Sequence, residues 1–122
     1  MTALPFVLAT ACERLRANDP TLNHLNLSNN YIGDAGAHHL AAALRSNSSL
    51  AQLNLGFNQI GDTGAQHLAA ALQSNSSLTR LKLRYTNINK TNKQTIKRLC
   101  DRNRDNLARR TVSLCDLLWA SC

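Results

Sequence analysis

The chain has 122 residues, with 14 Lys and Arg against 7 Asp and Glu for a formal net charge of +7, 43% hydrophobic residues and 4% aromatics. That length suits one domain, and a chain of this size buries roughly two-thirds of its unfolded surface, so its core needs neither disulfides nor metal. The composition excludes collagen-like, mucin-like and disordered classes, and no apolar stretch reaches the roughly 18 to 20 residues of a membrane span, so a water-soluble chain is expected.

The first apolar stretch covers residues 4–11, has Pro5 inside it, and ends in Ala9-Thr10-Ala11-Cys12, a faint lipoprotein-cleavage pattern. No basic segment precedes it and Glu13-Arg14 follow at once. The segment is therefore expected to be a short helix with Leu8, Cys12 and Leu15 turned inward, not a secretion signal.

From Leu22 onward the sequence overlays itself at a shift of 28 residues. Residues 22–49 and 50–77 agree at 20 of 28 positions. A third copy, residues 78–106, keeps Leu78, Leu81, Leu83 and Ile88 but has Asn89, Lys90 and Asn92 where the others have Gly-Asp and a second Gly. Each unit opens with strand alternation, Leu25 with Leu27 and Leu53 with Leu55. Gly33-Asp34 and Gly61-Asp62 break that pattern, and Asp34 and Asp62 are expected N-caps of the helices that follow. Ala37, Leu40, Ala41 and Leu44, and again Ala65, Leu68, Ala69 and Leu72, make one apolar stripe whose alanines let neighbouring helices lie close. Asn47 and Asn75 are expected to close these helices in the left-handed conformation that asparagine tolerates.

No such unit covers its own apolar face, so successive units must stack, with parallel strands on one side and helices on the other. Helices are wider than strands, so the stack curves with the strands on the concave side. Asn30 and Asn58 recur where an inward-turned amide bonds the backbone after each strand, the alternative being ordinary turn residues.

The pattern L-x-x-L-x-L-x-x-N-x-I-G-D-x-G-A-x-x-L-A-x-A-L resembles the leucine-rich repeat of the ribonuclease-inhibitor type, also found in nucleotide-binding immune receptors and in effector proteins of intracellular bacteria. It covers residues 22–103, two units strongly and one partly, with Thr86 departing from the asparagine of the other two. The resemblance implies a short α/β solenoid that serves as a scaffold for protein–protein contacts. Residues 1–21 form an N-terminal capping helix in this scheme. Residues 22–49, 50–77 and 78–106 are three repeats, and residues 107–122 are a C-terminal capping helix carrying Leu114, Leu117 and Leu118. Leu117, Leu118 and Trp119 are alternatively an exposed anchor for a partner or for a second copy of the chain. With only three units, homodimerisation through an open end of the stack is a further expectation.

Chemistry is sparsely signalled. His39 and His67 stand one repeat apart and are expected to cover the seam between helices; with His24 and His38 they lack the carboxylate or thiolate spacing of a metal site, so no metal and no cofactor is expected. Cys12, Cys100, Cys115 and Cys122 form no C-x-x-C pair, and free thiols imply a reducing compartment, the cytoplasm, or the host cytosol if the chain is a bacterial effector. There is no nucleophile elbow, paired-carboxylate site or phosphate-binding loop, and the glycines of G-D-x-G belong to the strand-to-helix turn, so no enzymatic activity is expected.

Charge is unevenly placed. Residues 1–78 carry a net −1 and residues 79–122 a net +8. Outward strand positions change in the same direction, from His24, Asn26 and Ser28 through Gln52, Asn54 and Gly56 to Arg80, Lys82 and Arg84, with Phe57 and Tyr85 at the rim. The expected partner-binding face is thus His24, Asn26, Gln52, Asn54, Phe57, Arg80, Lys82, Arg84 and Tyr85, taking a protein with an acidic surface. The alternative is binding of RNA or an anionic membrane by the basic C-terminal third, including Lys90, Lys93, Lys97, Arg98, Arg102, Arg104, Arg109 and Arg110. A basic face repels basic ribonucleases, so ribonuclease inhibition is not expected.

Overall fold

The computed structural model describes the backbone of residues 6–120 and the side chains of residues 7–109. Along the chain run α1 (Phe6–Arg16), β1 (His24–Asn26), α2 (Asp34–Arg45), β2 (Gln52–Asn54), α3 (Asp62–Ser74), β3 (Arg80–Lys82) and α4 (Lys90–Ala120). The strands form one parallel sheet in the order β1-β2-β3. Their register repeats the 28-residue shift, with His24, Gln52 and Arg80 in one row, Leu25, Leu53 and Leu81 in the next, and Asn26, Asn54 and Lys82 in the third. A one-residue slip would turn the leucine row out into water, so the apolar pattern fixes this register. The helices pack in sequence, α1 on α2, α2 on α3 and α3 on α4. The result is a short α/β solenoid.

The core follows the expected stripe. Leu27, Leu55, Leu40, Leu68, Leu44 and Leu72 are fully buried, and burying each such side chain stabilises the fold by about 2 kcal/mol. Ala37 and Ala65 are also fully buried, which sets the close approach of α2 to α3. Leu8, Cys12 and Leu15 of α1 are buried, as expected from their spacing, where α1 packs on α2.

Polar groups also join the units. Asn58 is buried, and its Oδ1 accepts hydrogen bonds from the backbone N–H groups of Asn30 (3.0 Å) and Ile32 (2.9 Å) in the preceding unit. Its Nδ2 donates to the carbonyls of Leu27 (2.9 Å) and Leu55 (3.0 Å). At the far end of the helices Asn75 donates to Leu44 O (2.8 Å) and Asn47 O (2.9 Å) of the preceding unit while accepting from Ser77 N of its own unit and Leu78 N at the start of the next. Asn103 repeats the device on Asn75 O (3.0 Å) and Leu78 O (2.9 Å). The expectation of left-handed helix ends at Asn47 and Asn75 is corrected: the C-cap of α2 is Ser46 at φ −101°, and Asn75 is extended at φ −91°, ψ 130°. An extended backbone aims the amide into the seam, and the side chain, not the main-chain conformation, satisfies the helix end.

The aspartates act across the seam in the opposite direction. The N-caps of α2 and α3 are Gly33 and Gly61, with no side-chain capping bond, so the expected N-cap role of Asp34 and Asp62 in their own helices is also corrected. Asp34 opens α2, and its Oδ1 accepts from Gly61 N (2.7 Å) and Gly64 N (3.0 Å), the orphan donors at the start of the next helix. A Cβ at Gly64 would stand 2.7 Å from that oxygen, so this approach requires glycine. Asp62 accepts in the same way from Asn89 N (2.9 Å) and Asn92 Nδ2 (3.1 Å). The Asn89 N–H and then the Asn92 amide hold the Asp62 carboxyl below its ordinary value.

The third unit departs from the other two. Thr86 stands where Asn58 does one unit earlier, and its hydroxyl donates only to Leu83 O (2.8 Å). Its helix does not end near residue 106; α4 runs unbroken from Lys90 to Ala120, so the expected third helix and C-terminal capping helix are one. No proline or glycine interrupts residues 90–120. The side chains of Leu114, Leu117, Leu118 and Trp119 lie outside the described residues, as do those of Cys115 and Cys122.

Asn75→Ala strands two carbonyls and two N–H groups at a buried seam and is expected to lower unfolding free energy by about 3 kcal/mol in urea titrations. Thr86→Asn, which supplies the missing amide, is expected to raise it by about 1 kcal/mol. A third expectation concerns Asp19 in the loop after α1. The Thr21 hydroxyl (2.7 Å), the Thr21 N–H (2.9 Å) and Arg14 (3.0 Å) lower its pKa from 3.8 to about 2. A depressed carboxylate stabilises the fold above its unfolded pKa and stops doing so as pH falls through its folded one. Urea midpoints should therefore fall between about pH 4 and pH 2, and Asp19→Asn should start lower at neutral pH and fall less over that window.

Candidate protein-binding face

The alternation that buries Leu53 sends the flanking residues of each strand outward. His24, Asn26, Arg80, Lys82 and Arg84 are exposed, and Gln52 and Asn54 are half-buried between them. The rows His24–Gln52–Arg80 and Asn26–Asn54–Lys82, with Leu25 and Leu53 at the floor, line a shallow cavity of about 270 Å³. All the residues expected for a partner face on the strands thus share one surface, and Arg84 continues it past the end of β3. Two of these residues are partly committed to the chain itself. Asn26 Oδ1 accepts from Ser28 N (3.0 Å) and Ser28 Oγ (2.6 Å), and Asn54 Oδ1 from Gly56 N (3.0 Å), which leaves their Nδ2 donors facing outward.

The basic residues divide by use. On α4, Lys97 and Arg104 flank Asp101, each at 3.2 Å. Arg102 donates to Leu72 O (2.8 Å) and Arg104 to Thr79 O (2.9 Å), so these bases also secure the last helix to the body. Among the described residues, Arg80, Lys82 and Arg84 have no ion pair. Three unneutralised cations at one end of a polar face make a positive potential that a chain-internal role does not consume.

At the rim, Phe57 and Tyr85 stack with ring centroids 4.6 Å apart and an interplanar angle of 22°. They remain 58% and 69% exposed. Both residues sit in the left-handed region, at φ 55° and 58°. Asn29, one unit earlier, takes the same conformation at φ 58°. The turn after each strand requires it, and a bulky residue there costs about 1 kcal/mol more than asparagine or glycine. Tyr31, 79% exposed at φ 55°, is a third exposed aromatic among the described residues, which the strand pattern alone does not single out.

A second hollow, of about 490 Å³, lies between β3 and α4. Leu81, Leu83 and Cys100 form its apolar wall, and Arg80, Arg84, Lys93, Lys97 and Arg104 its basic rim. The repeat offset signals it in hindsight: Cys100 occupies the position of Leu44 and Leu72, and the smaller side chain leaves space beneath the last strand. Burial, with the neighbouring Asp101 charge, pushes the Cys100 thiol up to about 11, and burial raises that of Cys12.

The histidines meet differently from expectation. The pair at the seam of α2 and α3 is His38 with His67, Nδ1 to Nδ1 at 3.3 Å, and not His39 with His67. Equivalent positions on stacked helices lie side by side along the stacking direction, so the ring that leans into the seam belongs to the neighbouring position. Among the described residues no three His, Cys, Asp or Glu side chains gather in a metal-holding arrangement.

Two segments, residues 18–41 and 46–69, match the sequence pattern of a family described as Leucine Rich repeat. No curated protein sequence matches the chain. Among solved structures, one described as leiomodin-1 Actin-Binding Site 2 aligns with a TM-score of 0.64 at 18% identity, covering 93% of this chain and 99% of that one. The tropomodulin C-terminal domain of Caenorhabditis elegans aligns with a TM-score of 0.45 at 15% identity, covering 87% and 98% respectively.

Because the thiolate is the reacting form, Cys12 and Cys100 are expected to resist iodoacetamide at neutral pH and to label only on unfolding, as read by peptide mass mapping.

Proposed function

From a chain that carries leucine-rich repeats and folds as a short solenoid of them, we propose a non-enzymatic protein-binding module that takes an acidic partner surface on its strand face. One observation carries the reading: Arg80, Lys82 and Arg84 stand exposed and without ion pairs at the end of a continuous polar surface, while of the α4 bases Arg102 and Arg104 are engaged in holding the last helix to the body. Opposite charge on a partner would raise the encounter rate and set its orientation, with His24, Asn26, Gln52 and Asn54 supplying hydrogen bonds further along. The leiomodin-1 structure, described as an actin-binding site, is an instance of this fold in a protein contact and supports a protein as the class of partner. No reaction is proposed. The free, buried thiols of Cys12 and Cys100 fit a reducing compartment such as the cytoplasm.

The test is charge removal. Arg80→Ala, Lys82→Ala and Arg84→Ala together are expected to weaken partner capture by at least about a hundredfold while leaving the thermal melt unchanged, since all three side chains are exposed. Crosslinking and mass spectrometry of proteins retained by wild type and variant check this; an identical set on both sinks the reading. Binding of RNA or anionic vesicles that falls steeply between low and physiological salt would favour the phosphate alternative.

A further inference from the structure

The turn after each strand needs a left-handed residue, and the first unit fills it with Asn29, which adopts that conformation readily. The second and third units fill it with Phe57 and Tyr85, aromatic residues that do so at a conformational penalty. Their rings do not repay this by joining the core, because both remain more than half exposed. They stack on each other instead, which joins two rings into one apolar ledge. The ledge adjoins Arg84 in the chain, and Arg84 belongs to the unpaired cations of β3 and its end.

We propose that the Phe57–Tyr85 pair is the seat for one large apolar side chain carried within an acidic polypeptide segment of the partner. The inference rests on the reading of the strand face as a protein-binding surface, and deepens it by naming the partner's chemistry. Charge complementarity selects the acidic segment, because Arg84 directly precedes Tyr85 and, like Arg80 and Lys82 of β3, is exposed and without an ion pair. The apolar side chain follows from the rings. Their exposed faces and edges offer desolvation energy that a wholly charged segment would not use. Arg84, adjoining Tyr85, bonds carboxylates that flank the seated side chain.

The experiment uses two fluorescein-labelled peptides on the full chain, a short glutamate peptide with one central tryptophan and the same peptide with alanine there. Wild type is expected to bind the tryptophan peptide about tenfold more tightly than the alanine one. In the double variant Phe57→Asn, Tyr85→Asn that advantage should vanish while the alanine peptide binds as before. The triple charge variant should lose both peptides. Equal binding of the two peptides by wild type overturns the ledge and leaves the charged face standing; absence of binding by either overturns both. Asparagine suits the left-handed turn, so the double variant is expected to melt at or above the wild-type temperature. A lower melt would give the rings a structural reason and overturn the proposal. Binding of oligouridine at physiological salt, lost in the double variant, would assign the ledge to nucleic-acid bases and equally overturn it.

Discussion

Several backbone groups in the turns of each unit find their partners in a neighbouring unit, and stacking removes them from water. An unsatisfied buried N–H or carbonyl costs about 1 to 3 kcal/mol, so the stack forms only where each seam supplies the missing partners. Asn58, Asn75 and Asn103 reach back to carbonyls and N–H groups of the preceding unit, and Asp34 and Asp62 reach forward to the start of the next helix. The leucines provide most of the driving force and exclude a slip of a whole residue, but they tolerate smaller slides of one unit over another. The amides and carboxylates do not. They hold the 28-residue register that aligns the three rows across the sheet.

That division of labour leaves one surface unemployed. The inward side of each strand is spent on the core and the turns on the seams, while the side chains at the outward positions make at most local bonds within their own unit. Their sequence is free to vary from unit to unit, and it does: His24 and Asn26 give way to Gln52 and Asn54 and then to Arg80 and Lys82. On the last strand Arg104 of α4 occupies Thr79 O, the carbonyl corresponding to those that accept from the next strand in the other two units, which removes one acceptor a further strand would use.

Most of the architecture was legible because a repeat states its rule twice. Two nearly identical units gave the strand, the turn, the helix stripe and the frame of Asn30 and Asn58. What the pattern could not reveal is which unit a polar side chain serves. Asp34 sits where a helix cap belongs, and it caps, but the helix is the next one; Asn47 and Asn75 close helix ends through their amides and not through a left-handed main chain. Both errors share a cause: local patterns assign a polar group to its own element, whereas stacking brings a residue 28 positions away within 3 Å. The continuity of α4 was hidden for another reason. Asn103 stands where Asn47 and Asn75 do by spacing, yet it does its bonding from within a helix that goes on. On the candidate face the outward strand residues were readable from alternation, but the stacked, left-handed Phe57 and Tyr85 were readable only as rim aromatics, since backbone conformation leaves no periodic trace.

The reciprocal bonds across each seam also limit how such a chain can change in size. A single inserted residue between Asp34 and Asn58 would pull the carboxylate off its donors and, at the same stroke, misplace Asn58. Lengthening or shortening is therefore tolerated in whole modules, each bringing both its forward and its backward connector. Growth by tandem duplication meets this requirement at once, and the near-identity of the first two units is the imprint such a history would leave.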